Sequence, residues 1–160
     1  MSVDEFGAER GDFDFLIGRW RVTHRKLRDR LVGCDDWDEF NADYEAWSHL
    51  DGALSLDEFQ FPSQGYSACS IRLLEAEAHQ WVIYWTTGTS GTLDSPVRGG
   101  WSGHRGEFYG TDQFRGQLID VRYLWQRHPG TAPRWEQAFR VSDGPWETNW
   151  TMTFGSSGER

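Results

Sequence analysis

Three side chains of this sequence are typed and spaced to move protons inside a strand-built wall: His24, Tyr44 and Glu136. Trp20, Val22 and His24 recur at every second position, so in a strand they share one face. An imidazole on an interior face is a proton carrier or a ligand contact. The same imidazole bonded within the wall, or wet at a rim, is neither. Phe40, Ala42, Tyr44, Ala46 and Ser48 form a second such face, with Asp43, Glu45, Trp47 and His49 opposite. Tyr44 then presents its hydroxyl either to the interior or to the surface. Glu136 alternates with Trp135, Gln137, Phe139 and Val141, and the pattern leaves open which face it occupies.

Other positions suit ligand contact rather than proton transfer. Trp85, Trp135 and Trp150 supply flat apolar walls, as small-molecule pockets require. Gln137 is the lone polar group on an apolar strand face, and a buried amide must find partners. Arg122 lies opposite the face Ile119, Val121, Tyr123 and Trp125; it is either exterior or a partner for an anionic ligand. In the last strand Trp146, Thr148, Trp150 and Met152 read as interior and Asn149 as exterior. Asp57 with Glu58, and Asp35, Asp36 and Asp38, read as solvated loop charge. No HExxH, no glycine-anchored calcium loop and no cysteine pair at metal spacing occurs, so no metal site is expected. There is no Gly-x-Ser-x-Gly elbow. Gly88-Thr89-Ser90-Gly91 lacks the Lys-Ser/Thr ending of a phosphate loop and reads as a flexible turn.

The elements that must position these residues are strands. The chain has 160 residues, within the range of one domain, and 10 Trp, 10 Phe and 5 Tyr, which favour strands and core. Its net charge of −9 disfavours a nucleic-acid partner, because phosphate binding needs a basic surface. Cys34 and Cys69 read as free thiols of a reducing compartment. The opening MSVDEFGAERGDF has neither the basic nor the apolar region of a signal peptide, and no apolar run reaches the length of a membrane helix. A cytoplasmic protein with no membrane partner is expected.

Short aromatic and β-branched runs alternate with Gly, Asp, Ser and Pro clusters about every ten residues, the rhythm of an all-β sandwich or barrel. Ten strands are expected, at 19–31, 38–50, 53–60, 66–74, 80–87, 96–101, 106–114, 117–127, 134–141 and 146–154. Asp51-Gly52, Arg115-Gly116 and 142–145 read as tight turns. Consecutive hairpins make an up-and-down antiparallel meander, and closure into a β-barrel removes its edges. Before the first strand, Asp12 can cap a short helical turn that Gly18 ends, with Phe13, Leu16 and Ile17 plugging one barrel end. Residues 32–37 read as a loop or lid at the other end, and Gly99-Gly100 as a strand kink. The barrel domain spans 12–155, between flexible flanks 1–11 and 156–160.

The run Phe15-Leu16-Ile17-Gly18-Arg19-Trp20 carries the Gly-x-Trp pattern that opens the first strand of lipocalins and other calycins. With residues 106–112, 134–139 and 146–152, it makes the chain resemble bacterial lipocalin-like (calycin) domains of unknown function, related to fatty-acid-binding proteins and nitrobindins. The resemblance covers roughly residues 12–155. It implies a ten-stranded barrel with the Trp packed across the closed end, and it transfers no catalytic residue. Two features of those relatives are missing. Asn149 and Trp150 stand where fatty-acid-binding proteins carry Arg-x-Tyr, so a fatty acid is not implied. The last histidine, His128, precedes Pro129-Gly130 in a turn, so haem is not implied and no cofactor is expected.

The leading functional expectation is a cavity that binds a small, mostly apolar or aromatic molecule. One alternative is a barrel isomerase or cyclase using His24, Tyr44 and Glu136, which would require such groups to converge. Another is a filled barrel serving as an interaction domain. A homodimer through an exposed strand such as 146–154 is a further expectation.

Overall fold

The computed structural model describes residues 6–156. The outermost residues of both expected flanks, 1–5 and 157–160, lie outside the described residues. The chain forms ten antiparallel strands: β1 (Gly18–Leu27), β2 (Trp37–His49), β3 (Leu54–Phe61), β4 (Tyr66–Glu75), β5 (Gln80–Thr87), β6 (Val97–Ser102), β7 (Arg105–Phe114), β8 (Gln117–Gln126), β9 (Arg134–Arg140) and β10 (Glu147–Ser156). Each pairs with the next, and β1 also pairs with β10, from Trp20 opposite Ser156 to Lys26 opposite Trp150. The closed up-and-down barrel of the lipocalin-like type expected from the strand rhythm is what forms, with every strand paired to two neighbours. No helix among the described residues is long and apolar enough to cross a membrane.

Alternation sets the two faces. Arg19, Arg21, Arg25 and Arg28 on β1 and its following turn pair with Glu45, Asp43, Glu39 and Asp38 across β2. Such exposed pairs contribute little each, yet they mark the outer face. Trp20, Val22 and His24, with Ala42, Tyr44 and Ala46, therefore point inward. The first strand ends at Leu27, earlier than the expected residue 31. The chain turns there, with Arg28 N–H bonded to the Asp36 carbonyl and Leu31 at φ 64°.

The N-terminal plug is present as a single 3-10 turn, Asp14–Leu16. Phe13 and Leu16 are buried, and the Trp20 indole N–H donates to the Leu16 carbonyl at 3.0 Å. Ile17 does not join them; it is half exposed. Asp12 does not cap the turn either. Its Oδ2 accepts from the Glu9 backbone N–H and from the Trp81 indole at 2.9 Å, pinning the plug to β5. Upstream, Gly7 forms an antiparallel bridge with Trp101.

Gly99 and Gly100 permit close approach. A β-carbon on Gly99 would lie 1.9 Å from the Glu107 carbonyl oxygen, and one on Gly100 would lie 2.3 Å from that of Gly7. The β5–β6 seam is the shortest in the barrel: only Trp81, Val82 and Ile83 of β5 face β6. Beyond it, residues 88–96 swing away from the wall, returning where Asp94 N–H bonds to the Trp85 carbonyl.

The last strand departs from simple alternation. Thr148 lies opposite Ala138 but Trp150 lies opposite Gln137, so Asn149 is the extra residue of a β-bulge. One inserted residue reverses the side-chain parity of everything before it. Trp150 and Met152 point inward as expected, whereas Trp146 stacks outside under Arg122 and Arg140. Thr148 turns outward toward Glu136. Asn149, expected outside, is wholly buried.

Candidate ligand cavity

The barrel interior is divided. Along β1–β3 it is solid: His24 stacks on Phe40 at 5.0 Å between centroids and meets Phe59 and Phe61 edge-on. Along β4–β10 it is hollow. A cavity of about 230 Å³ opens there, somewhat smaller than ordinary ligand pockets. The inner residues of β8, Ile119, Val121, Tyr123 and Trp125, form one wall. Trp135, Gln137 and Phe139 of β9 form the next, followed by Trp150 and Met152 of β10. Trp85, Ser70 and Arg72 line the opposite side. The mouth lies beside the short seam, among Asp94, Ser95, Asp112, Gln113, Phe114 and Arg30.

Trp135, Gln137 and Trp150 thus face the interior as strand alternation suggested, and Trp85, for which alternation left the face open, lines the cavity with them. Trp150 is held edge-on by Trp85 at 5.5 Å and by Trp135 at 5.4 Å. Its indole N–H donates to Nδ1 of His24 at 3.0 Å. Gln137 donates from Nε2 to Oδ1 of the bulge residue Asn149 at 2.8 Å. Its own carbonyl oxygen accepts no hydrogen bond from the described residues, although the residue lines the cavity. A buried amide with one half committed and the other open is positioned to orient a ligand.

Arg122 and Glu136 are corrections. Both stand on the outer wall, because their neighbours Val121, Tyr123, Trp135 and Gln137 take the inner positions. Arg122 lies 4.7 Å above the Trp146 ring and 3.9 Å from Glu136. Neither reaches the cavity.

His24 and Tyr44 are interior but line no part of the cavity. His24 is fully buried behind Trp150, and its pKa is lowered to about 3, mainly by burial and then by the nearby Lys26 charge. It is a neutral imidazole in an aromatic box. Tyr44 donates its hydroxyl to Oδ2 of Asp57 at 2.8 Å, and burial, reinforced by the Asp57 charge, raises its pKa well above the ordinary value. His24, Tyr44 and Glu136, the three proton-transfer candidates, do not converge.

Tyr44 instead joins a network that the sequence reading missed. Asp57 is not solvated loop charge: it is 1 % exposed and ion-paired with Arg72, itself 2 % exposed. Asp57 also accepts the Ser70 backbone N–H at 2.7 Å, and Arg72 donates to the Ser55 hydroxyl at 2.9 Å. Burial works against the Arg72 charge, yet Asp57 and Tyr44 raise its pKa above the usual arginine value. Arg72 also lies 4.9 Å over the Phe13 ring of the plug. The signal for this pair was present. Asp57 alternates with Ser55, Phe59 and Phe61, and Arg72 with Ala68 and Ser70, each on a face that is otherwise interior.

Tyr123 completes the polar lining. Its pKa is raised by burial and then by Asp94, and its hydroxyl bonds to none of the described residues. Cys34 and Cys69 are both free thiols. Among the described residues no group of three or more metal-ligating side chains gathers.

Fold and site together define a closed ten-stranded antiparallel barrel of lipocalin-like architecture with an off-centre, aromatic-walled cavity. No protein-family model matches the chain, and no curated protein matches it.

Proposed function

We propose that this barrel binds a small, flat, largely apolar molecule within the cavity along β4–β10. The observation that carries the reading is the lining itself. Trp85, Trp125, Trp135 and Trp150 surround a space of about 230 Å³, while the Gln137 carbonyl and the Tyr123 hydroxyl stay free to orient an occupant. Apolar walls with a few unpaired polar atoms are the usual composition of a small-molecule site. The resemblance of the Gly18-Arg19-Trp20 run to lipocalin-like domains supports the same reading through architecture.

Native mass spectrometry of freshly purified protein, followed by extraction and a tryptophan-fluorescence screen of small aromatic compounds, tests the proposal. A one-to-one complex, or saturable quenching by at least one compound, is the expected result. A protein that carries no adduct and whose fluorescence no compound perturbs would overturn it.

A further inference from the structure

The polar groups that face the cavity differ in sign and in what already satisfies them. Asp112 stands on the inner face of β7, in phase with Phe108 and Phe114, and Asp94 comes from the connection after β5. Neither forms an ion pair among the described residues. Asp112 accepts only the backbone N–H of Gln113, at 2.8 Å, and no side chain donates to Asp94. The two lie close enough that burial first, and the Asp112 charge second, push the Asp94 carboxyl up.

The cations that line the cavity do not answer this charge in full. Arg72, on the cavity wall, is committed to Asp57 and Ser55. Arg30 sits across the mouth, 5.2 Å over the Phe139 ring, where Glu147 is the charge that acts on it. Arg30 forms no ion pair among the described residues, so it offsets at most one of the two carboxylates, and the net charge left on the cavity lining is negative. The third open group, the carbonyl oxygen of Gln137, belongs to a residue only 7 % exposed, and it too can only accept. The open Tyr123 hydroxyl can donate or accept and so does not set the sign, whereas two carboxylates and an amide oxygen can only accept and call for a ligand that donates. Tryptophan faces attract cations as well. A ligand carboxylate would instead be repelled by two like charges.

We infer that the cavity selects a molecule with a protonated amine on a flat apolar body, its nitrogen held by Asp94 and Asp112 and its body against Trp85 and Trp135. The inference rests on the proposed binding function and names the ligand class for that site.

Isothermal titration calorimetry at neutral pH with three probes sharing one ring system tests it: 1-naphthylmethylamine, 1-methylnaphthalene and 1-naphthoate. The amine is expected to bind about tenfold or more tighter than the hydrocarbon, with naphthoate the weakest. In the double variant Asp94→Asn/Asp112→Asn, amine and hydrocarbon affinities are expected to converge to within about threefold. Hydrocarbon binding that equals or exceeds amine binding, or naphthoate as the tightest probe, would overturn the charge assignment while leaving the cavity reading in place. An amine preference that survives in the double variant would overturn the role of the two aspartates. If none of the three probes binds, the charge assignment and the binding reading both fail.

Discussion

The indole N–H of Trp150 donates to Nδ1 of His24 at 3.0 Å, joining a wall of the cavity to the buried imidazole of the first strand. This bond fixes the tautomer: Nδ1 accepts, so the imidazole proton is on Nε2, which has no partner among the described residues. Protonation of His24 would place a second hydrogen where the indole already donates.

A pH dependence follows. The pKa of His24 falls from an ordinary 6.5 to about 3 in the folded protein, so the unfolded chain binds the proton first as pH drops. The contribution of His24 to stability is complete above about pH 6.5 and is lost as pH falls toward 3. In urea denaturation, lowering the pH from 7 to 5 is expected to cost the wild type about 2 kcal/mol more than His24→Phe, which keeps the ring stack without the titrating group. Parallel pH profiles for the two proteins would contradict this.

The Asp57–Arg72 pair behaves as a unit. Each partner is almost fully buried, so removing one leaves an uncompensated interior charge. Asp57→Leu or Arg72→Met alone is expected to destabilise by about 3–5 kcal/mol, and the double variant by clearly less than the sum. Additive losses in chemical denaturation would show that the two side chains are not coupled.

Backbone crowding makes Gly99 irreplaceable. A methyl group there would strike the Glu107 carbonyl of the neighbouring strand, whereas at Gly155 the nearest atom is 3.6 Å away. Gly99→Ala is expected to lose about 2 kcal/mol or more, and Gly155→Ala to change stability by under about 1 kcal/mol. Thermal melting of both variants distinguishes them, and equal midpoints would refute the crowding argument.

The strand rhythm and the Gly18-Arg19-Trp20 signature made ten strands and closure legible, because turn residues and alternating patterns are local. The inward parity of Trp20, Val22 and His24 was legible for the same reason. What escaped was non-local. The bulge at Asn149 exists only relative to β9, so nothing within residues 146–154 announced that Trp146 would point outward. Asp57 looked like surface charge because its partner lies 15 residues on, across a hairpin. His24 was correctly placed inside, but the division of the interior into a solid half and a hollow half depends on aromatic packing among several strands.

Arg122 offers a surface control. It stacks on Trp146 outside the wall, away from the cavity. Arg122→Ala is expected to leave the affinity of any cavity probe within about twofold of wild type, with a stability loss of about 1 kcal/mol or less. A tenfold or larger loss of affinity would place the ligand elsewhere.

The cavity itself is tested most directly by filling it. Val121 lies on the inner face of β8 and lines the hollow half. Binding of 1-methylnaphthalene to wild type and to Val121→Trp, measured by calorimetry on variants that melt cooperatively, is the deciding comparison. The expected result is one saturable site in the wild type and none in Val121→Trp. Equal binding by both proteins, or a wild type that binds neither 1-methylnaphthalene nor 1-naphthylmethylamine, would contradict a ligand cavity in this barrel.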